Sequence, residues 1–297
     1  MLVMFGALWQ EMKPVVKALE MKKTKKDTLC PVYEDKDGRM RLVLTGVGCE
    51  AAGFAAGWYI GTYGYTKEDV YLNIGSCAGG EETSGIYRIH GITDEATKET
   101  YYPDLREVGS LPTARVYTCS KIIGQEEARA LSEENPGEKS LFDMEAAGLY
   151  RSLRKIISPD RMIFLKVVTD HGREEGVTQK EMARSVVEGM EACSGELSEE
   201  IKRIYEHFVS SGGSETEGEQ ENPSDICNPD ASELAKEFQA SVTMELQLQQ
   251  LLRYVVAAGM ETRFWEEVSS YRQQELLPVN SRREGKKLLE TLMKNIV

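Results

Sequence analysis

The chain is poor in histidine, with three in 297 residues, and it holds no HExxH or other clustered ligand set. No catalytic metal and no cofactor are expected, because a bound metal needs several convergent donors. Its six cysteines (Cys30, Cys49, Cys77, Cys119, Cys193 and Cys227) are scattered and never form CxxC. That spacing argues against a zinc ribbon or a dithiol redox pair and predicts reduced thiols in a cytoplasmic protein. No apolar run approaches the ~20 residues that a membrane span needs, so no membrane partner is expected. The opening Met1-Leu2-Val3-Met4-Phe5-Gly6 lacks a basic leader and reads as a first strand, not a signal segment. Positive charge is short as well: 36 Lys and Arg stand against 49 Asp and Glu, for a net charge of −13. This balance opposes a nucleic-acid backbone and leaves a small molecule or a protein as the expected partner.

What is present is an apolar fraction of 41%, enough for a core, in a length that fits one enzyme domain and a smaller appendage. The dividing stretch is residues 210–230, with six acidic residues, no Lys or Arg and no apolar periodicity. Such a segment buries too little surface to offset its ordering entropy and is predicted to be a flexible linker. The expected organisation is a domain over 1–209, the linker over 210–230 and a helical extension over 231–297.

Before the linker, strand and helix patterns alternate. An apolar run over Leu2 to Phe5 precedes Leu8, Met12, Val15, Val16 and Leu19 at helical spacing. Cys30 to Glu34 and Met40 to Thr45 read as a hairpin turned by Asp35-Lys36-Asp37-Gly38. A small-residue helix from about Glu50 to Gly61 presents Ala51, Ala52, Ala55 and Trp58 for close packing. Strands are expected over Val70 to Ile74, Ile86 to Thr93, Arg115 to Cys119 and Met162 to Val168. Helices are expected from Ala146 to about Lys155 and from about Gln179 to Phe208. The alternation predicts an α/β fold, a three-layer sandwich with a central twisted mixed sheet. After the linker, two capping boxes, Asp230 to Glu233 and Ser281 to Glu284, each open a helix. The first carries Leu234, Phe238, Val242, Leu246, Leu251, Leu252, Val255 and Val256, the second Leu288, Leu289, Leu292 and Met293. With nine acidic and nine basic residues, 231–297 is neutral and carries no catalytic motif. It is expected to act as a small all-helical bundle or a docking arm for a protein partner.

Three segments stand where a hydrophobic run stops: Gly75-Ser76-Cys77-Ala78-Gly79-Gly80, Phe142-Asp143-Met144-Glu145-Ala146-Ala147 and Val167-Val168-Thr169-Asp170-His171-Gly172. In α/β sheets ligands bind beyond strand ends, so these are expected to wall one small pocket. Two of them deliver carboxylates, Glu145 and Asp170, which suits acid/base work on a small molecule. Alternate strand residues face alike, so Lys166, Val168 and Asp170 are expected on one side. A lysine on a central strand is unusual enough to suggest a function.

Further motifs join these in order: Gly6-Ala7-Leu8-Trp9-Gln10-Glu11, Thr45-Gly46-Val47-Gly48, Asn73-Ile74-Gly75-Ser76 with Ala78-Gly79-Gly80, Met144-Glu145 and Thr169-Asp170. Together, over about residues 1–208, they resemble the nucleoside phosphorylase/nucleosidase superfamily, and within it the 5′-methylthioadenosine/S-adenosylhomocysteine nucleosidases. The resemblance implies a purine nucleosidase cleaving the N-glycosidic bond of a 5′-modified adenine nucleoside, and a homodimer. By the same resemblance Asp170 is the acid that protonates the purine at N7, and Glu11 orients the attacking water. Glu145 would grip the ribose hydroxyls, Met144 would pack under the ribose and Ser76 would hydrogen-bond near the sugar or the leaving base. Ile122 and Ile123 stand where purine-stacking residues fall in the family, with Tyr101 and Tyr102 as aromatic substitutes, within the chain or across a dimer interface as in relatives. Lys166, Gly75 and Asp143 would support the pocket. Two alternatives stay open: a phosphate-dependent purine nucleoside phosphorylase, and a non-catalytic nucleoside-binding module whose helical tail is the working part. A phosphorylase places arginines around its phosphate, whereas this chain offers Gln10, Glu11 and Asn73 at the corresponding positions.

Overall fold

The computed structural model describes every residue except 25–27, 67, 81, 104–109, 134–136, 174–175, 211–228, 258–259 and 297. The described residues form two compact units, one ending at Ser210 and one beginning at Pro229. The expected linker and Cys227 lie almost wholly outside the described residues.

In the first unit, β1 (Leu2–Gly6) is parallel to β4 (Met40–Leu44) on one side and to β5 (Val70–Gly79) on the other. Beyond β4, β3 (Val32–Glu34) and β2 (Lys22–Lys23) add antiparallel edge strands. The β3–β4 turn is the predicted one. Gly38 takes φ +65°, and one Asp35 carboxylate oxygen accepts the N–H groups of Arg39 and Met40 at 2.7 and 2.8 Å.

On its far side β5 pairs parallel with β10 (Met162–Asp170), which pairs antiparallel with β6 (Gly85–Asp94). A short β7 (Thr100–Tyr101) flanks β6, and β6 continues in parallel to β8 (Thr113–Thr118) and then β9 (Ser140–Asp143). The end of β5 then bonds β9, with Ala78 opposite Phe142 and Gly79 opposite Leu141. The sheet therefore closes on itself through β5, β10, β6, β8 and β9. The central mixed sheet is as expected, but a flat sandwich layer does not describe this end of it.

Alternation along β1 distributes the core. Leu2 and Met4 face α1 (Trp9–Ala18) and α5 (Gln179–Tyr205), where Met12, Val15, Met190, Leu197 and Ile201 are buried. Val3 and Phe5 face α2 (Cys49–Tyr63) and α4 (Ala146–Leu153), with Ala52, Ala55, Tyr59, Ala147 and Tyr150. Tyr59, not the half-buried Trp58, is the aromatic that α2 commits to the core. Small residues allow α2 and α4 to approach closely, since a Cβ on Gly148 would lie 2.3 Å from the Cys49 carbonyl oxygen. A further helix, α3 (Gln125–Glu133), precedes β9.

Two sequence expectations about pocket segments change. Gly75 to Gly79 is not a turn after a strand but the continuation of β5, hydrogen-bonded to β10 and then to β9. Glycine is required at position 79, where a Cβ would meet Thr83 Oγ1 at 2.0 Å and Val168 Cγ1 at 2.9 Å. In β10 the register shifts between Val168 and Asp170. This bulge at Thr169 interrupts the two-residue alternation, so Asp170 does not simply share the face of Lys166 and Val168.

The second unit comprises α6 (Pro229–Glu237), α7 (Val242–Ala257), α8 (Glu261–Gln273) and α9 (Arg282–Ile296). Leu234, Phe238, Leu251, Phe264, Val268, Leu289 and Leu292 form its core. The single helix expected from Leu234 to Val256 is broken, because Gln239 takes φ +46°. The side chains of Asp230, Val242, Leu246 and Val256 lie outside the described residues. Ser281 does cap α9, its hydroxyl accepting the Glu284 N–H at 3.3 Å. Among the described residues no helix is long and apolar enough to cross a membrane.

Candidate functional site

A cavity of about 1420 Å³ in the first unit gathers most of the residues singled out in the sequence. Its wall includes Glu11, Ser76, Ile123, Asp143, Met144, Glu145 and Asp170, contributed by α1, the ends of β5, β9 and β10, and the segment before α3. Lys166 and Gly75 lie behind the wall. The cavity exceeds the ~300–1,000 Å³ usual for small-molecule sites because it continues along the first turns of α5, from Thr178 to Glu191.

Glu11 is buried, contrary to the behaviour of an ordinary surface-helix acid. It sits in the first turn of α1, where one carboxylate oxygen accepts the Leu8 N–H at 3.3 Å and the other accepts the Ser76 N–H. It thereby ties the start of α1 to β5. Gly75 lies against both side chains: a Cβ there would make ordinary contacts, 3.4 Å from Lys166 Nζ and 3.5 Å from Glu11 Oε1.

Lys166 is completely buried, with its Nζ 2.6 Å from Asp143 Oδ2. Burial opposes its charge, but the carboxylates of Asp143 and Glu145 outweigh that and raise its pKa. Asp143 also accepts the Thr118 hydroxyl at 2.7 Å and the Ala146 N–H at 2.8 Å. Glu145 accepts the Gly48 N–H at 2.8 Å across a separation of 97 residues. Its carboxyl is pushed up to about 7, first by burial and then by the charges of Asp143 and Glu11. Lys166 and the Gly48 N–H pull the other way.

Asp170 is half-buried, accepting the Gly172 N–H at 2.9 Å and lying 3.2 Å from the Thr169 hydroxyl. His171 turns outward, its Nδ1 within 3.2 Å of the Gly79 carbonyl and 3.1 Å of the Gly80 carbonyl. Met144 is half-buried and Ile123 buried, while Ile122 is exposed at the wall. Tyr101 does not reach the cavity: it stacks on Tyr150 at 5.1 Å within the core. Tyr102 is buried elsewhere too, its carbonyl accepting the Tyr150 hydroxyl at 3.4 Å.

Three thiols near the site are held protonated. Burial and then the Asp143 charge raise Cys49 to about 11 and Cys119 to about 12, and burial raises Cys77 well above its ordinary value. None of them has the depressed pKa of a nucleophilic cysteine.

Sequence reasoning did not single out Thr118, Cys119 or the start of α5 as parts of the site or its support, while Val47 and Cys77 lay within quoted motif segments and were given no role of their own. Gly48 had one visible signal: it belongs to a Gly-x-Gly turn, and it takes φ +100°. Asn73, compared above with a phosphate-binding position, lies within the sheet, donates to the Phe5 carbonyl at 3.3 Å and does not line the cavity.

No family model matches the sequence, and no curated protein matches it. Solved structures do. The chain is similar to the 5′-methylthioadenosine/S-adenosylhomocysteine nucleosidase of Neisseria meningitidis in complex with methylthio-immucillin-A, with 17% identity and a TM-score of 0.54. That likeness covers 69% of this chain and 98% of the other. The 5′-methylthioadenosine nucleosidase of Arabidopsis thaliana in apo form matches at 18% identity and TM-score 0.56, over 68% of this chain and 95% of that one. The S. pneumoniae nucleosidase with the transition-state inhibitor MT-ImmA matches at 12% identity and TM-score 0.55, over 68% and 99%. At these identities the likeness is one of fold: the chain carries the architecture of these nucleosidases over about two thirds of its length.

Proposed function

We propose that the first unit is a nucleosidase that hydrolyses the N-glycosidic bond of a 5′-modified adenine nucleoside such as methylthioadenosine, S-adenosylhomocysteine or 5′-deoxyadenosine. The observation that carries this reading is the convergence of Glu11, Glu145 and Asp170 on one cavity beside Met144 and Ser76. A purine leaves as a poor anion unless N7 is protonated, and Asp170 stands at the cavity wall to deliver that proton. Glu145, with one oxygen held by Gly48, keeps acceptor capacity for the ribose hydroxyls and for the cationic sugar of an oxocarbenium-like transition state. Glu11, fixed by two backbone N–H groups, orients the water that attacks the anomeric carbon. Met144 supports the ribose, Ser76 bonds near the sugar and Ile123 packs against the base. Asp143, Lys166 and Gly75 hold this wall from behind.

The acidic inner wall disfavours phosphate as the nucleophile, since carboxylates repel it. Three cationic side chains, Lys121, Lys180 and Arg184, line the outer part of the cavity, and of these Arg184 pairs with Glu188 at 2.7 Å and Lys121 with Glu127 at 3.4 Å. The deciding experiment is release of free base from methylthioadenosine, S-adenosylhomocysteine, 5′-deoxyadenosine and inosine, each with and without phosphate. Adenine release without phosphate is expected. Release only with phosphate makes the protein a phosphorylase, and ligand-dependent stabilisation without release makes it a nucleoside-binding module.

The reading extends to a homodimer. Helix α2 is apolar on all sides, and beyond its packed face it leaves Phe54 58% exposed, with Val47 just before it 48% exposed. A helix apolar all round is normally covered. Phe54→Glu is expected to shift the sedimentation coefficient from dimer to monomer; an unchanged value moves the interface elsewhere.

A further inference from the structure

The start of α4 poses a capping problem next to the cavity. The first N–H groups of a helix have no partner within it, and the N-cap side chain commonly supplies one. Here the N-cap is Glu145, and its side chain caps nothing; it reaches away to the Gly48 N–H. The capping is done from outside. Asp143 Oδ2 accepts the Ala146 N–H at 2.8 Å, and the Thr118 hydroxyl oxygen accepts the Ala147 N–H at 3.1 Å.

Thr118 is the last residue of β8, 2% exposed, and its one hydroxyl proton goes to Asp143 Oδ1 at 2.7 Å. That carboxylate is held in turn by Lys166 from β10. A single hydroxyl thus both accepts from α4 and donates to the carboxylate that completes the cap. Were it missing, the Ala147 N–H would be orphaned in a dry environment. The carboxylates of Asp143 and Glu145 are the acceptors at hand to fill that place.

We propose that Thr118 is a positioning residue: by sharing the capping of α4 with Asp143, it leaves the Glu145 carboxylate free to face the cavity. The proposal rests on reading Glu145 as the group that holds the ribose. The β-branched side chain suits the task, since its χ1 is stiff and the oxygen sits at a set distance from two partners.

The test compares Thr118→Val, which keeps the shape and removes the hydroxyl, with Thr118→Ser, which keeps the hydroxyl. In the unliganded full chain the reporter is the Gly48 amide, which is bonded to Glu145 and distant from Thr118 in sequence. Thr118→Val is expected to move its resonance toward the position found in Glu145→Ala and to speed its hydrogen exchange about tenfold, the loss of roughly one hydrogen bond. Nucleoside affinity is expected to fall by about the same factor, and Thr118→Ser is expected to restore both. If Thr118→Val does not fold, Thr118→Cys, a weak donor and acceptor, is read in the same way. A displaced Ala147 amide with Gly48 unmoved overturns the proposal, because the hydroxyl then serves the helix alone. A Gly48 response in a chain that releases no base keeps the positioning role and refutes the nucleosidase reading instead.

Discussion

Glu145 shares its surroundings with Asp143 and Glu11, and Lys166, the ammonium among them, is ion-paired with Asp143. Burial and that excess of negative charge raise the Glu145 carboxyl from its ordinary 4.5 to about 7. An acid raised on folding keeps a proton that the unfolded chain has already released. Its contribution to stability is therefore complete below about pH 4.5 and is lost as pH rises through about 7. Glu145→Gln is expected to remove that slope, gaining stability over the parent chain at pH 8 but not at pH 4.5, by a few kcal/mol at most. Urea midpoints at the two pH values measure it. Nucleoside affinity is expected to strengthen as Glu145 ionises, with a midpoint near 7, and to be weaker and flat in Glu145→Gln. Asp170→Asn is expected to lower base release by about 100-fold or more while leaving nucleoside affinity nearly intact, as loss of a general acid should. Turnover near that of the parent chain would remove Asp170 from the mechanism.

At the scale of elements, the site depends on where strands end and on how closely two helices meet. The bulge at Thr169 re-aims the end of β10 toward the cavity. The α2–α4 crossing brings the Gly48 turn, which leads into α2, within reach of Glu145 at the start of α4. Gly148 permits that crossing, because a Cβ there would meet the backbone of Cys49 rather than a movable side chain. Gly148→Ala gains helix propensity but forces the helices apart. A net loss of about 1–3 kcal/mol is expected in denaturant unfolding, with weakened nucleoside binding. A neutral or stabilising result would show that α4 tolerates a shift and that the crossing does not set the site.

For the whole molecule, the closed mixed sheet and the helical unit each have a separate core. We propose that they fold independently and that the catalytic reading belongs to the first unit alone. A chain ending at Ser210 is expected to remain folded and to release adenine at a rate within about twofold of the full chain. Residues 229–297 alone are expected to show a helical circular-dichroism spectrum with cooperative melting. Aggregation of the shortened chain would mean that the second unit covers an apolar face of the first.

Much of this was legible in the order of residues. The alternation of strand and helix patterns announced a sheet covered by helices, and the apolar run Leu2 to Phe5 fits it, since a strand buried on both faces presents apolar side chains to each. Loop chemistry marked the β3–β4 turn, and motif order marked the walls of the cavity. Other features depended on contacts that local pattern does not encode. Continuation of β5 through Gly75 to Gly79 required β10 and β9 as partners, and closure of the sheet required those same pairings. Helical periodicity ran across Gln239 without interruption, yet the helix breaks there and restarts behind Ser241. The Ser241 hydroxyl accepts the Met244 N–H at 3.4 Å, a capping signal that the periodicity masked. Sequence alone determined which carboxylates this protein has at its strand ends. Tertiary structure decided which are buried and which N–H groups hold them, because burial and hydrogen bonding arise between segments as distant as Gly48 and Glu145.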